Sequence, residues 1–129
     1  MDRKKLLIHI VCLMFFIFSL DTLAHKFYWY DSIWWFDMLT HSLSGFWVAL
    51  FFIYVFVRKM HFPIPFVKVF FYLFLIGVGW EIFEFIVNNY IGPDPFDILD
   101  TLSDIFFDLA GGLSAIIYYW YTFRDGKNR

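Results

Sequence analysis

Cysteine is almost missing from this chain. The single Cys12 lies inside an apolar run, so neither an intramolecular disulfide nor a thiolate metal site is available. Its setting fits a small core or lipid-facing side chain. A cationic surplus is missing too. The formal net charge is −2, which excludes the basic footprint of a nucleic-acid binder. The apolar runs lack the alternation of a membrane β-barrel. There is no low-complexity tract and no true repeat, although Asp-x-x-x-His occurs twice. No Ser or Cys stands in a convincing nucleophile constellation; Ser42 and Ser44 lie near His41 but on differing helix faces, where packing explains them.

What remains is largely hydrocarbon. Hydrophobic residues make up 61% of the 129, with 20 Phe, where soluble domains run at about 45–50%. Helices apolar all round have no face to give to water. The composition therefore predicts an all-α polytopic membrane protein, one domain over residues 1–129, built as a four-transmembrane-helix bundle in the lipid bilayer. The spans are expected at about 6–24, 38–57, 66–87 and 102–122. Between them, residues 25–37 are aromatic and amphipathic, suited to the headgroup level or a short interfacial helix. Residues 58–65 form a basic, proline-bearing turn, and residues 88–101 carry Asn88, Asn89, Gly92, Pro93 and Pro95 with Asp94, Asp97 and Asp100.

Cations set the direction. Arg3, Lys4 and Lys5 precede the first span; Arg58, Lys59 and Lys68 flank the second turn; Arg124, Lys127 and Arg129 follow the last. The other two linkers hold Lys26 alone. The positive-inside rule then puts both termini in the cytoplasm and residues 25–37 and 88–101 outside. The first span also resembles a signal peptide, with basic residues, an apolar stretch and Thr22-x-Ala24. Asp21 beside that point favours an uncleaved anchor.

Against this background the ionisable residues stand out. Asp21/His25, Asp37/His41, Glu81/Glu84 and Asp104/Asp108 each fall at helical spacing on an apolar segment. A carboxylate at a bilayer centre costs roughly 2.5–3.5 kcal/mol on insertion scales, so such residues are rarely idle. The faces extend as Asp37, His41, Ser44, Val48, then Gly77, Glu81, Glu84, Asn88, then Asp104, Asp108, Gly111, Ala115. Each runs from charge into small or modest residues, the signature of a packed stripe in lipid. With the orientation above, every pair lies toward the outer leaflet and can reach a common cavity.

Plainer explanations exist for some of these residues. Asp37 could cap the second span, and Asp100 and Thr101 could cap the fourth. Asp94 and Asp97 are expected to be solvated loop acids. Asp21 and His25 could snorkel to water. His9 is a lone histidine on an apolar face, His61 a loop histidine, and His41 alone would pass for a hydrogen-bonded core histidine. The glycines Gly77, Gly79, Gly111 and Gly112 suit close packing. Glu81, Glu84 and Asp108 have no such account.

Crowded carboxylates repel unless a cation or protons neutralise them. Carboxylates with one or two imidazoles suit Mg, Mn, Fe or Zn, and helix-borne ligands of this kind build di-metal sites in bundles. A divalent metal of open identity is therefore expected on Asp37, His41, Glu81, Glu84, Asp104 and Asp108.

Three motifs also carry a family resemblance. Asp37-Met-Leu-Thr-His41-Ser-Leu-Ser-Gly45, Gly79-Trp-Glu81-Ile-Phe-Glu84-Phe85 and Asp100-Thr-Leu-Ser-Asp104-Ile-Phe-Phe-Asp108-Leu-Ala-Gly111-Gly112 resemble the VanZ-like family of small bacterial membrane proteins. The likeness is nearest to its uncharacterised YjdF-type inner-membrane relatives and covers about residues 31–120. It implies a multi-pass protein of the bacterial cytoplasmic (inner) membrane, in a family with no settled biochemical activity. Glu84 and Asp108 stand where many such proteins carry Gln and Asn, which makes this site more acidic.

Three functions fit. The first is a metal-dependent membrane hydrolase or transferase on a lipid-linked or envelope substrate, with Glu81 and Asp108 as catalytic acids or bases. The second is a binding or regulatory protein holding a cation or polar ligand without turnover. The third, a proton or cation carrier, is weakened by a cytoplasmic half that is apolar beyond His9.

Overall fold

The computed structural model describes residues 3–57, 64–92 and 95–124. The chain forms α1 (Arg3–Lys26), the short α2 (Trp29–Ser32), α3 (Phe36–Phe56), α4 (Ile64–Tyr90) and α5 (Ile98–Tyr119), followed by a π-helical turn, Trp120–Arg124. No strand occurs among the described residues. Four helices are long and apolar enough to cross a membrane: Arg3–Lys26, Phe36–Phe56, Pro65–Tyr90 and Ile98–Phe123. The expected spans coincide with them, and the helices run on by up to a turn at several ends.

The start of α5 corrects one expectation. Asp97, not Asp100 or Thr101, is the N-cap: its extended backbone lets the carboxylate accept from Leu99 N at 2.9 Å and Asp100 N at 3.4 Å. The cap moves three residues upstream because an extended residue is needed there, and Asp100 is already helical. Asp100 instead lies in the first turn, where the helix dipole favours an acid. Asp97 is therefore no idle loop acid; Asp94, Arg58, Lys59, His61 and the tail from residue 125 lie outside the described residues. Asp37 does not cap α3 either. Trp35 occupies that position with no side-chain cap, and Asp37 stands in the first helical turn.

The bundle is held at one close crossing. A Cβ on Gly45 of α3 would run into the backbone carbonyl of Asp108 on α5, and one on Gly111 of α5 would run into the carbonyl of Ser42 on α3. Each glycine thus admits the other helix's backbone, and α3–α5 is the most extensive pair in the fold. In lipid this matters because tails are as apolar as Leu, so association rests on van der Waals packing rather than on hydrophobic burial. Leu50, Ile53, Val69, Leu73 and Ala115 fill the interior beside the crossing. Phe15, Phe16, Phe18, Ile82, Phe83 and Ile86 point outward, as lipid-facing residues do.

α1 lies against α3, where Trp47 Nε1 donates to the Ile10 carbonyl at 2.9 Å. It also meets α5 through His9 Nδ1 and the Tyr118 hydroxyl, 2.7 Å apart. His9 is thereby partnered, as a core histidine should be. Between α1 and α3 the chain reverses through Tyr28, whose φ of 57° is left-handed, and α2 forms the short helix expected in the aromatic linker.

Tyr30 of this linker donates its hydroxyl to Asp21 at 2.7 Å. Burial first, and then that bond, holds its phenol above the ordinary value of 10.0. A raised phenol pKa means the folded state resists ionisation, so the stabilisation is complete below the unfolded value and is lost as pH rises past it. Chemical unfolding at increasing alkalinity should show stability declining from about pH 10 upward, with a visibly smaller decline in Tyr30→Phe.

Candidate functional site

The acids and His41 gather at one end of the bundle. α3 and α5 begin there and α4 ends there. His41 stands less than two turns into α3, Asp104 and Asp108 two to three turns into α5, and Glu81 and Glu84 two to three turns before the end of α4. Helical spacing gives each pair one direction, and the Gly45–Gly111 crossing turns the α3 and α5 faces toward each other.

His41 is the hub. Its Nδ1 lies 3.1 Å from Asp108 Oδ1, and its Nε2 lies 3.5 Å from Asp104 Oδ2 and 3.7 Å from Asp37 Oδ1. An ionised carboxylate only accepts, so facing Asp108 favours the hydrogen on Nδ1. Nε2 faces Asp37 and Asp104, where a bound cation would take its lone pair and an empty site would favour a second ring hydrogen. A ligating histidine in metal sites is oriented in this way by an outer carboxylate.

Asp104 is the second hub. Asp37, His41 and Asp104 bring ligand atoms within 4.8 Å of one another, and so do Glu81, Glu84 and Asp104. Asp104 belongs to both groups and is only 3% exposed. Asp108, 7% exposed, belongs to neither of these groups and touches the site through His41. Glu81 is 8% exposed, and its Oε1 is buried with no hydrogen-bond partner. A buried carboxylate oxygen without a partner is a position where a cation, a proton or a water is accommodated at least cost. Glu84 is half-buried and accepts from Trp80 Nε1 at 2.9 Å.

Charge balance adds to the demand. Within α3, α4 and α5 the only Lys or Arg is Lys68, roughly 20 Å along α4 from Glu81. Among the described residues of these helices, five carboxylates thus share His41 as their one basic side chain.

The six expected site residues therefore fall together, five in the two groups and Asp108 behind His41. Asp21 and His25 pair with each other instead, 3.5 Å apart, and Asp21 takes the Tyr30 hydroxyl. Ser42 donates to the Met38 carbonyl, as a packing serine does in a helix. Trp80 was not expected at the site. Its position four residues before Glu84 was the available signal, since i and i+4 share a face.

A family described as "Predicted membrane protein (DUF2238)" matches residues 2–125. No curated protein and no solved structure matches the chain.

Proposed function

The chain belongs to that membrane-protein family, and from this premise we propose that it carries a divalent-metal centre inside the bundle, serving hydrolysis or transfer on a lipid-linked or envelope substrate. Asp37, His41 and Asp104 would hold one ion, and Glu81, Glu84 and Asp104 a second, with Asp104 between them. The observation that carries this is the gathering of Glu81, Glu84 and Asp104 ligand atoms within 4.8 Å of one another, with the Glu81 Oε1 buried and without a hydrogen-bond partner. The oxygen-rich donor set with one imidazole suits a hard or borderline cation. A metal bound there supplies Lewis acidity and a more acidic water. Asp108 would hold the imidazole in place through His41 Nδ1, and Glu81 or Asp108, whichever carboxylate is left free of the ions, would serve as the base that takes a proton from water.

The order and spacing of the three motifs support a place near the VanZ-like proteins and their YjdF-type relatives, in the bacterial inner membrane with both termini cytoplasmic. The alternating cations of the linkers support that direction, which sets the site toward the outer leaflet.

A second reading, ligand or cation binding without turnover, shares the same residues. The carrier reading loses support because the interior beyond the site is Leu50, Ile53, Val69 and Ala115, and His9 is taken by Tyr118. A through-path needs polar groups at both ends.

Metal analysis of the detergent-purified protein under metal-replete conditions tests the centre. The expected result is stoichiometric divalent metal in the wild type and, in Glu81→Gln/Glu84→Gln, loss of the ion assigned to the Glu81–Glu84–Asp104 group. Wild-type protein without metal refutes it. Release of phosphate or alcohol from a lipid phosphoester by the loaded protein separates enzyme from binder.

A further inference from the structure

Beside the carboxylates, α3 and α4 flank a cavity of about 310 Å³ with Asp108 at its floor. Its two ends differ in chemistry. Thr40, His41, Glu84 and Asp108 stand at one; Val48, Leu73 and Ile76 line the other. Gly77 keeps the middle hollow: a Cβ there would sit 3.0 Å from Asp108 Oδ2, so the missing side chain lets that carboxylate look into the space. At the rim Ile76 is 45% and Trp80 50% exposed, and Ser44 is exposed as well. The mouth therefore opens sideways between two spanning helices, where the neighbour is lipid rather than water. From His41 to Val48 the wall runs roughly 10 Å, and from Glu84 to Leu73 roughly 16 Å.

Few molecules satisfy both ends. A wholly polar ligand would leave its hydrogen bonds unmade along Val48, Leu73 and Ile76, and a hydrocarbon would set apolar matter against the ionisable end formed by His41, Glu84 and Asp108. An amphiphile meets both requirements. We propose that the α3–α4 cleft seats one hydrocarbon chain of a membrane lipid that enters laterally, with the lipid's polar head at His41, Glu84 and Asp108. The volume lies at the low end of ligand pockets, enough for one chain segment rather than two. This makes the substrate class a membrane amphiphile drawn from the same leaflet. It rests on the proposed metal centre for what happens to the head, while the chain seat stands on the cavity itself.

The test uses the full chain in vesicles of phosphatidylethanolamine and phosphatidylglycerol containing a trace of phospholipid with a diazirine partway along one acyl chain. After irradiation, labelled positions are mapped by fragmentation. Leu73 is 2% exposed and lines the cavity, so its labelling requires a chain inside the cleft. Labelling of Leu73 and Val48 is expected in the wild type. Ile76→Trp at the rim should cut it at least fivefold while Phe16 and Phe18 on α1 label as before. Val48→Phe, from the opposite wall, should do the same. Labelling confined to outer residues, or Leu73 labelling that survives both substitutions, overturns the seat. The two ideas separate cleanly. Leu73 labelling in protein that binds no divalent metal upholds the seat and sinks the metal centre; stoichiometric metal without Leu73 labelling does the reverse.

Discussion

Asp104→Asn is expected to empty both halves of the proposed metal site at once, lowering divalent-metal affinity by more than about 100-fold. That exceeds the 10–100-fold that loss of an outer partner costs. The reason is position: Asp104 belongs to both ligand groups and is 3% exposed, so no water or mobile side chain can take its place. Asparagine keeps the volume and one acceptor but removes the charge and the second oxygen donor. Asp37→Asn touches one group only and should leave metal on the Glu81–Glu84 side, which isothermal titration reads as altered stoichiometry. Asp108→Asn acts through the imidazole. Its amide can accept or donate, so it no longer selects the Nδ1 hydrogen, and a loss in the 10–100-fold range is expected. The metal-free Asp104→Asn protein should be no less stable than wild type, because removing one of several crowded carboxylates relieves repulsion. Metal lost together with helical structure would indicate a merely structural role.

Gly45→Ala, with Gly111→Ala beside it, should be among the most damaging small substitutions at the described residues, costing about 3 kcal/mol or more. On Gly45 the added methyl meets the backbone carbonyl of Asp108, not the tip of a side chain, so relief requires α3 and α5 to move apart. Separation would also pull His41 from Asp108, so metal binding should fall with stability. Gly79→Ala is the matched comparison. Nothing lies within 4 Å of the added atom, and the change stiffens the unfolded chain, so a gain of about 0.4–1 kcal/mol is expected. Unfolding in mixed micelles reads both. Equal effects at the two positions would sink the close-crossing account.

Much of this architecture is legible from spacing alone. Asp37/His41, Glu81/Glu84 and Asp104/Asp108 share helix faces by arithmetic, and small residues following them mark those faces as packed. The cap of α5 was harder to see, because Asp97 and Asp100 are both acceptable residues at a helix start and only the backbone between Pro95 and Ile98 decides between them. Helix pairing was hidden for a different reason. Gly77, Gly79, Gly111 and Gly112 look alike in a sequence, yet Gly111 admits a backbone while Gly79 faces open space. The outer placement of Asp108 behind His41 depends on that pairing, so spacing could only group it with the other acids. The α3–α4 cleft depends on it as well, since a void belongs to no single segment.

The Gly45–Asp108 contact also sets a timetable for biogenesis. About 60 residues separate its two sides, so at a synthesis rate of about 5–20 residues per second α3 waits roughly 3–12 s for its partner. During that interval α3 and then α4 stand in or beside the translocon with His41, Glu81 and Glu84 lacking the α5 carboxylates that complete their surroundings. In that window the acids of α3 and α4 are exposed without the α5 carboxylates and the Gly111 backbone that later pack against them.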